Sequence, residues 1–167
     1  MNTQKNTLSN TRINRLRIQG YTNESVKELS NMAFGIRFAY RLCATILILA
    51  ISTQSTLLFS IMLVVAFLGA VLPNHPFDYI YNYVLSNWID KPKVPARSAQ
   101  LKFTCTIATL WLTGVVYLMS SGLTSAGLIM AGVLAGMAIL PSTLDLCLPS
   151  KIYNALFLRK NKNSQTV

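Results

Sequence analysis

Apolar residues are gathered into four long runs separated by short polar segments. The runs cover residues 32–52, 56–72, 101–119 and 123–140. Each run is about as long as the roughly 17 to 25 residues that a helix needs to cross the hydrocarbon core of a bilayer. The pattern therefore predicts an all-α integral membrane protein, with a four-helix bundle of four spans within residues 25–158.

The first run is preceded by a helix start signal. Ser25 is followed three residues later by Glu28, which is the spacing of a capping box, where each side chain accepts from the backbone amide of the other residue. The sequence therefore predicts a helix that begins near Val26 and continues into the first span.

A second start signal lies between the second and third runs. Asn74 or His75 can cap a helix that has Pro76 near its first position, and Asp78 falls in the first turn, where the helix dipole favours an anion. His75 is the only histidine of the chain. Together with Asp78 it is more typical of a helix cap than of an acid–base pair.

The helix that follows this cap is predicted to cover about residues 76–89 and to be amphipathic. Phe77, Tyr81 and Trp88 fall on its apolar face at helical spacing. Tyrosine and tryptophan are enriched where a membrane meets water. We therefore expect an in-plane helix at the membrane surface, with these three residues as interfacial anchors.

The composition agrees with a membrane protein, and the distribution of charge adds an orientation. Of the 167 residues, 52% are hydrophobic and 12% are charged, with 15 Lys and Arg against 5 acids. The connections 52–55 and 120–127 contain no charge, and the basic residues flank the opposite ends of the runs. The positive-inside rule then predicts a multi-pass protein with both termini and the central loop in the cytoplasm.

The placement of the basic residues also bears on partners. Because they flank spans and are not gathered on one soluble face, we expect anionic lipid headgroups as contacts and no nucleic acid. Residues 1–24 and 159–167 are predicted to be basic cytoplasmic tails. Within the first, residues 11–18 are faintly amphipathic. A solvated tail is the favoured interpretation there, and binding to headgroups is the alternative.

Arg41 falls deep within the first span. Only residues 42–51 are free of charge there, about 15 Å of helix, so the span has to include Arg41. An arginine at such depth generally faces the protein interior and pairs with an acid or with backbone carbonyls. The first choice for this intramembrane ion pair is Asp145, ahead of Asp78 and Asp90. A site for a substrate anion is the alternative.

The fourth run carries small residues at four-residue spacing. Gly132 and Gly136 form a Gly-x-x-x-Gly pattern, which allows two helix backbones to approach closely. Helix packing within the bundle is the favoured interpretation, and an oligomer interface is the alternative.

Sequence motifs for chemistry are absent. The chain has no Gly-rich nucleotide loop, no His-Glu-x-x-His and no Cys-x-x-Cys, so no catalytic residue, cofactor or metal site is predicted. The three cysteines, Cys43, Cys105 and Cys147, are far apart in the chain and lie toward its cytoplasmic side. Buried, inert thiols are the favoured interpretation. A thiol or metal site needs at least two of them to converge, and the sequence leaves this open.

Three landmarks resemble a known family. They are HPFDYIYN at 75–82, VPARSAQ at 94–100 and CLPSKIY at 147–153. With these landmarks in this order, roughly residues 33–157 resemble a widespread bacterial family of short four-span membrane proteins catalogued as a domain of unknown function. The resemblance implies the bacterial inner membrane.

The closing motif of that family is typically Cys-x-Gly-Cys followed three residues later by Tyr. Some of its members occur beside thioredoxin-like or rhodanese-like domains. Cys147 and Tyr153 match the motif, whereas Pro149 and Ser150 depart from it, so the second thiol is missing and the motif is degenerate.

The sequence favours a non-enzymatic role as an accessory or scaffold subunit of a larger membrane complex, with other membrane proteins as partner subunits. The alternative is a carrier or redox partner for thiol or sulfur compounds that uses Cys147. An ion or solute channel is disfavoured because Lys102 is the only charge in the second to fourth runs.

Overall fold

The computed structural model describes residues 8–158, and every regular element in that range is a helix. In chain order the elements are α1 (Asn10–Ile18), α2 (Val26–Ser52), α3 (Thr56–Val71), α4 (Pro76–Ile80), a π-helical turn (Tyr81–Leu85), α5 (Ser86–Trp88), α6 (Ala99–Ser120), α7 (Thr124–Leu144), α8 (Leu148–Tyr153) and a second π-helical turn (Asn154–Leu158). The all-α prediction is confirmed. Residues 1–7 and the predicted C-terminal tail, 159–167, lie outside the described residues.

Three helices, α2, α6 and α7, are each long and apolar enough to cross a membrane. The shorter helix α3 meets the same test together with the helical segment that begins at Pro76, from which it is bent by 81° at a short break. Pro73 and Pro76 mark this break, because a proline lacks an amide donor and disfavours helical backbone at the residue before it. The protein is thus a multi-pass helical bundle with three spans among its described residues, or four if the bent pair is one span.

The long helices pack as α2 against α7, α7 against α6, and α6 against α3. Between them lie buried apolar side chains from all four helices, among them Leu47, Phe59, Leu112 and Leu134. The indole N–H of Trp111 donates to the carbonyl oxygen of Met130 at 2.9 Å and ties α6 to α7. Large apolar side chains such as Leu57, Leu110 and Ile129 are exposed on the outer surface, as expected for helices that face lipid.

Both predicted helix starts are present. The Ser25 hydroxyl accepts from the amide of Glu28 at 3.3 Å, and the Glu28 carboxylate accepts from the amide of Ser25 at 2.7 Å. His75 caps α4 in the same way, because the Asp78 carboxylate accepts from the His75 amide at 3.2 Å. The helical segment from this cap ends at Trp88, one residue before the predicted boundary. The prediction that His75 and Asp78 form a helix cap is confirmed.

The aromatic residues of this segment are placed differently from the prediction. Phe77 and Tyr81 are buried inside the protein, whereas Trp88 is 87% exposed. The Tyr81 ring lies against Gly35 of α2 so closely that a β-carbon at that glycine would overlap it. The prediction that Phe77 and Tyr81 are interfacial anchors is therefore wrong. Helical spacing assigned their rings to the lipid, but both rings pack inside the protein, and that of Tyr81 packs against Gly35. The orientation of the segment relative to a membrane surface stays a prediction.

The N-terminal segment is folded onto the bundle. α1 packs against α2, and Leu16 and Gln19 are almost completely buried. The Ser98 hydroxyl at the start of α6 donates to the carbonyl oxygen of Gln19 at 2.6 Å. The prediction of a solvated tail for residues 1–24 is thus wrong for residues 10–21. The apolar side chains of this segment are buried against the rest of the protein.

The face of helix α7 that is buried in the bundle is not the face that carries Gly132 and Gly136. Gly132 and Gly136 are exposed, and a β-carbon at either position would meet no other part of the described chain. Ala131, Leu134 and Ala135 are buried instead. The prediction that the two glycines pack helices together inside the bundle is therefore wrong, because a small-residue spacing does not reveal which face a nearly all-apolar helix buries.

Candidate functional site

A cavity of about 100 Å³ lies inside the bundle, and three free cysteines line it. Cys43 comes from α2, Cys105 from α6, and Cys147 from the residue that precedes α8. Cys105 and Cys147 are buried, and Cys43 is half-buried. The structure thus answers a question that the sequence left open, since all three thiols converge on one space.

Arg97, which lines this cavity, belongs to a buried ion pair. The Arg97 guanidinium contacts the Asp78 carboxylate through two bonds, Nε to Oδ2 at 2.6 Å and Nη2 to Oδ1 at 3.3 Å. Their side chains are 5% and 2% exposed. Burial is the largest influence on this guanidinium and opposes its charge, but the Asp78 carboxylate, together with Cys105 and Tyr40, raises the pKa of Arg97 well above its ordinary value. A permanent positive charge therefore sits beside the cavity.

Arg97 also contacts one of the thiols. Its Nη1 group donates to Cys105 Sγ at 3.4 Å. A charged N–H donor at a sulfur atom stabilises negative charge that develops there. Of the three cysteines of this cavity, Cys105 is therefore the one that has a charged donor at its sulfur atom.

His75 lies next to the same cysteine. A β-carbon at Gly69 of α3 would overlap His75 Cδ2 and lie 3.1 Å from Cys105 Sγ, so the glycine allows the imidazole to approach α3 beside this cysteine. The Nδ1 atom of His75 accepts from the Phe77 amide at 3.3 Å, which leaves the ring proton on Nε2. Burial, and secondly the charge of Arg97, lower the pKa of His75 to about 2. The imidazole is thus neutral, accepts at Nδ1 to cap α4, and lines the cavity.

Tyr40 of α2 contributes the last polar group of this region. It lines the cavity, and its hydroxyl is buried without a hydrogen-bond partner among the described residues. The Arg97 guanidinium carbon lies 5.8 Å from the centre of the Tyr40 ring, within the range of a cation–π contact. A buried hydroxyl without a partner is unusual enough to call for an explanation.

The surroundings of Cys147 differ from those of Cys105. Thr104 Oγ1 lies 3.4 Å from Cys147 Sγ and 3.5 Å from Ser150 Oγ, while the hydroxyl donates to the carbonyl oxygen of Gln100 at 2.9 Å. Ser150, which stands where the resembled family typically has its second cysteine, is therefore close to Cys147. Within residues 8–158, His, Cys, Asp and Glu side chains form no group of three or more with the geometry of a metal site.

Part of the cavity wall is formed by half-buried apolar residues of α6 and α7. Ile107 and Ala108 of α6 and Met137 and Ala138 of α7 line the cavity and are only half-buried. These apolar residues separate the thiols from the outer surface of two spans.

A second buried carboxylate, Asp145, lies at the end of α7. Its carboxylate accepts from Arg12 Nε at 2.7 Å, from Arg37 Nε at 2.5 Å and from Arg37 Nη2 at 2.7 Å. Arg41 is exposed, and its guanidinium carbon lies 5.8 Å from the centre of the Phe34 ring. The predicted ion pair between Arg41 and Asp145 is therefore wrong. Arg41 lies four residues, or about 6 Å, beyond Arg37 along α2. Asp145 lies at the level of Arg37 and pairs with that residue.

Helix α1 completes the arrangement around Asp145. Asp145 has a left-handed backbone conformation with φ of 56° and ends α7. Its carbonyl oxygen accepts from the Gln19 side chain at 2.7 Å, and that of Leu144 accepts from Arg15 Nη1 at 2.8 Å. These side chains satisfy carbonyl groups that a helix end leaves without partners. The cluster around Asp145 therefore joins α1, α2 and α7.

Sequence reasoning missed Arg97, Tyr40 and Thr104 as parts of a site. Arg97 was visible in the landmark VPARSAQ, but its neighbours there do not show that it points to a cysteine. Tyr40 and Thr104 lie in apolar helices, where a single polar residue carries no motif.

Comparison with known families supplies one match. The model of the family described as domain of unknown function DUF4395 matches residues 33–157, which is well over half of the chain. The chain belongs to the DUF4395 family. The matched range begins inside α2, so it contains the cysteines, Arg97 and Asp78, while α1 lies before it. No curated protein and no solved structure matches the chain.

Proposed function

We propose that this DUF4395 protein handles a thiol or sulfur compound inside the membrane, as a carrier or redox partner, with the cysteines of the cavity as its reacting groups. The observation that carries the proposal is the convergence of Cys43, Cys105 and Cys147 on one cavity, where Arg97 donates to Cys105 Sγ. The proposal widens the alternative drawn from the sequence, which involved Cys147 alone.

The free-energy cost of burying the Asp78–Arg97 pair argues that the pair has a function. An arginine and an aspartate that are both removed from water contribute little net stability, because their desolvation offsets much of their attraction. Apolar side chains would fill the same space at no such cost. A buried charged group with a specific partner beside a cavity is a candidate functional site, and Arg97 has a sulfur atom as its third contact.

The chemistry that fits these residues is exchange with a compound that contains an S–S bond. The sulfur of Cys105, as a thiolate, attacks one sulfur of that bond, a new S–S bond forms to Cys105, and the other sulfur leaves as a thiolate. Arg97 stabilises the attacking sulfur through the 3.4 Å contact. Attack by a second cavity cysteine on the Cys105 sulfur then releases the rest of the compound as a thiolate and leaves a disulfide.

The test measures whether the cavity thiols react while the protein is folded. Purified protein is treated with methyl methanethiosulfonate, which adds a methylthio group to thiols, and each cysteine is followed by mass spectrometry. The control thiol is Ser86→Cys in a chain whose native cysteines are changed to Ser, because Ser86 is buried and does not line the cavity. We expect Cys105 to react at least about tenfold faster than the control thiol.

The competing interpretation is an accessory or scaffold subunit that lacks enzymatic activity, with other membrane proteins as partners. It predicts that Cys105 and the control thiol react equally slowly in the folded protein and equally fast after unfolding. That outcome would contradict the thiol function and leave the scaffold role, for which co-purification in mild detergent followed by mass spectrometry is the next measurement.

We further propose the bacterial inner membrane, with both termini in the cytoplasm and basic segments near anionic headgroups. Support comes from the connections at 52–55 and 120–127, which carry no charge, whereas the basic residues flank the other ends of the helices. Reporter fusions at Gln54 and Ser125 should read as external, and fusions at Lys93 and Val167 as internal. A cytoplasmic signal from Gln54 would overturn this orientation.

A further inference from the structure

The cavity offers a largely apolar surface to a molecule inside it. All four long helices contribute apolar side chains to its lining, among them Leu47, Met62, Ile107 and Leu134. Such a surface gains free energy by contact with apolar atoms, whereas a hydrated group loses its water there. A molecule that carries apolar groups is therefore favoured in this space.

The polar groups at the cavity leave little for a polar ligand to bind. The Thr104 hydroxyl donates to the carbonyl oxygen of Gln100 at 2.9 Å. The Tyr40 hydroxyl has almost no accessible surface, so it does not open on the cavity. His75 is neutral and uses Nδ1 to cap α4. A ligand rich in hydrogen-bonding groups would therefore lose its contacts with water without replacing them.

The charge of the region sets a second limit. Arg97 is paired with Asp78 through two bonds, and both side chains are nearly removed from water. The positive charge beside Cys105 is therefore already balanced. An ionic ligand would lose its hydration in the cavity without gaining a counter-charge. The cavity thus suits an uncharged molecule.

Size sets the third limit. A cavity of about 150 Å³ holds one benzene molecule, which has six non-hydrogen atoms, and this cavity has about 100 Å³. In proportion, it has room for about four such atoms. Dimethyl disulfide, the smallest dialkyl disulfide, consists of two sulfur and two carbon atoms besides hydrogen. Glutathione disulfide is far too large to enter whole.

Resting on the proposed thiol function, we infer that the substrate of Cys105 is a small, uncharged dialkyl disulfide with short alkyl groups such as methyl. It has an S–S bond for the exchange step, apolar groups for the lining, and a size that the cavity accepts.

The reaction of such a substrate balances within the cavity. Cys105 attacks one sulfur, and the other sulfur leaves with its alkyl group and takes up the proton that Cys105 gave up. A second cavity cysteine then attacks the Cys105 sulfur and releases the second alkyl thiol. The substrate is thereby reduced to two small thiols, and two cysteines of the protein are oxidised to a disulfide.

The first test compares two dialkyl disulfides of different size on the whole protein in nanodiscs. Reduced protein is treated with dimethyl or dipropyl disulfide, and the loss of the free Cys105 thiol is followed by mass spectrometry. The reference thiol is Ser121→Cys in a chain whose native cysteines are changed to Ser, because Ser121 is exposed at the end of α6. Relative to this thiol, we expect Cys105 to prefer dimethyl disulfide by at least about tenfold, since one extra methylene in a fitted pocket can cost that factor.

The decisive variants change the room inside the cavity. Met137 and Met130 are both half-buried methionines of α7, and of the two only Met137 lines the cavity. Met137→Ala should raise the rate of Cys105 with dipropyl disulfide by at least about tenfold and leave the rate with dimethyl disulfide within about twofold. Met130→Ala is the matched control and should change neither rate.

A further reagent tests the limit on charge. The small disulfide 2,2′-dithiodiacetate carries two carboxylates. Relative to the reference thiol, Cys105 should react with it at least about tenfold more slowly than with dimethyl disulfide. Met137→Ala should not relieve this, because a wider cavity still lacks a counter-charge.

Three results would overturn the inference. They are equal relative rates of Cys105 with both dialkyl disulfides, equal effects of Met137→Ala and Met130→Ala, and reaction with dithiodiacetate as fast as with dimethyl disulfide. Failure of the proposed function is distinguishable. A Cys105 thiol that is inert toward methyl methanethiosulfonate sinks the thiol function, whereas one that reacts with it but shows no preference among disulfides sinks the substrate class alone.

Discussion

The two buried aspartates of this protein are both paired with arginine, but their surroundings differ. Asp145 is 1% exposed, and its partners Arg12 and Arg37 are 35% and 13% exposed. Asp78 is 2% exposed, and its partner Arg97 is only 5% exposed. Both carboxylates lie beside helix ends, since Asp145 ends α7 and Asp78 belongs to the first turn of α4.

The difference lies in what else the arginines contact. Around Asp145 the donors are used on the carboxylate and on backbone carbonyls of Thr143, Leu144 and Asp145, so the cluster connects helices. Arg97 instead contacts a sulfur atom and an aromatic ring, and it borders an open space. The comparison teaches that two buried carboxylates with the same kind of partner differ in setting: the arginines at Asp145 join helices through carbonyl groups, whereas Arg97 also contacts a cysteine that lines a cavity.

The largest expected effect is that of Arg97→Ala. Removing this partner leaves the Asp78 carboxylate buried without a counter-charge, so the free energy of unfolding should fall by about 3 to 5 kcal/mol. Denaturant titration in mixed micelles measures it. Arg17→Ala, at an exposed arginine of α1, is the control and should stay within about 0.5 kcal/mol. A loss for Arg97→Ala no larger than the control would mean that this pair does not hold the fold.

Next in size is the effect of Asp145→Asn, which we expect to lower the free energy of unfolding by about 2 to 3 kcal/mol. The loss is smaller because the freed Arg12 and Arg37 are closer to solvent. Adding Arg37→Ala should cost little more, since both changes break one interaction. Arg41→Ala is the matched control, one turn along α2, and its effect should add to that of Asp145→Asn. Coupling of Asp145 to Arg41 and none to Arg37 would contradict the structure.

Lowering the pH should reduce the free energy of unfolding through His75, whose amide donates to Asp78 of the Asp78–Arg97 pair. The folded pKa of His75 is about 2, below its ordinary value of 6.5, so between these values the unfolded chain binds a proton that the folded protein does not. This contribution to stability is present above pH 6.5 and is lost as the pH falls. From pH 7.5 to pH 5 we expect a loss of about 2 kcal/mol from this source.

The variant His75→Asn tests this assignment, because asparagine keeps a helix cap but does not titrate. Stability measured at several pH values should fall less steeply in the variant than in the unchanged protein. Equal slopes would show that His75 does not cause the dependence, and that its imidazole is not held neutral by the cavity.

The smallest effect on stability is expected for Ser150→Cys, under about 1 kcal/mol, because the two side chains have nearly the same shape. The change places a second sulfur near Cys147, since Thr104 lies within 3.5 Å of both Cys147 Sγ and Ser150 Oγ. In a chain whose Cys43 and Cys105 are changed to Ser, so that no other cavity thiols can pair, we expect the variant to bind phenylarsine oxide, a reagent for paired thiols, in a 1:1 ratio. Ser86→Cys is the control and should not increase such binding. Equal binding by both would show that Cys147 and residue 150 do not meet.

Local signals in the chain predicted the helices and their starts. The capping boxes at Ser25 and at His75 depend on residues three apart, and the apolar runs depend on lengths within one helix. Such features require no knowledge of what lies across the bundle. The predictions that were wrong concern which groups meet across the bundle, as when Tyr81 packs against Gly35 and Asp145 pairs with Arg37 and not with Arg41.

The sequence by itself determined an all-helical membrane protein, the start of α2 and the cap of α4, because these follow from spacing and from backbone groups within one segment. Only the tertiary structure decided that Cys43, Cys105 and Cys147 share a cavity, and that Arg97 points to Cys105. The physical reason is the composition of the spans. When nearly every residue of a helix is apolar, the sequence does not mark which face packs inward, so the convergence of its few polar and sulfur atoms is set by how the helices pack.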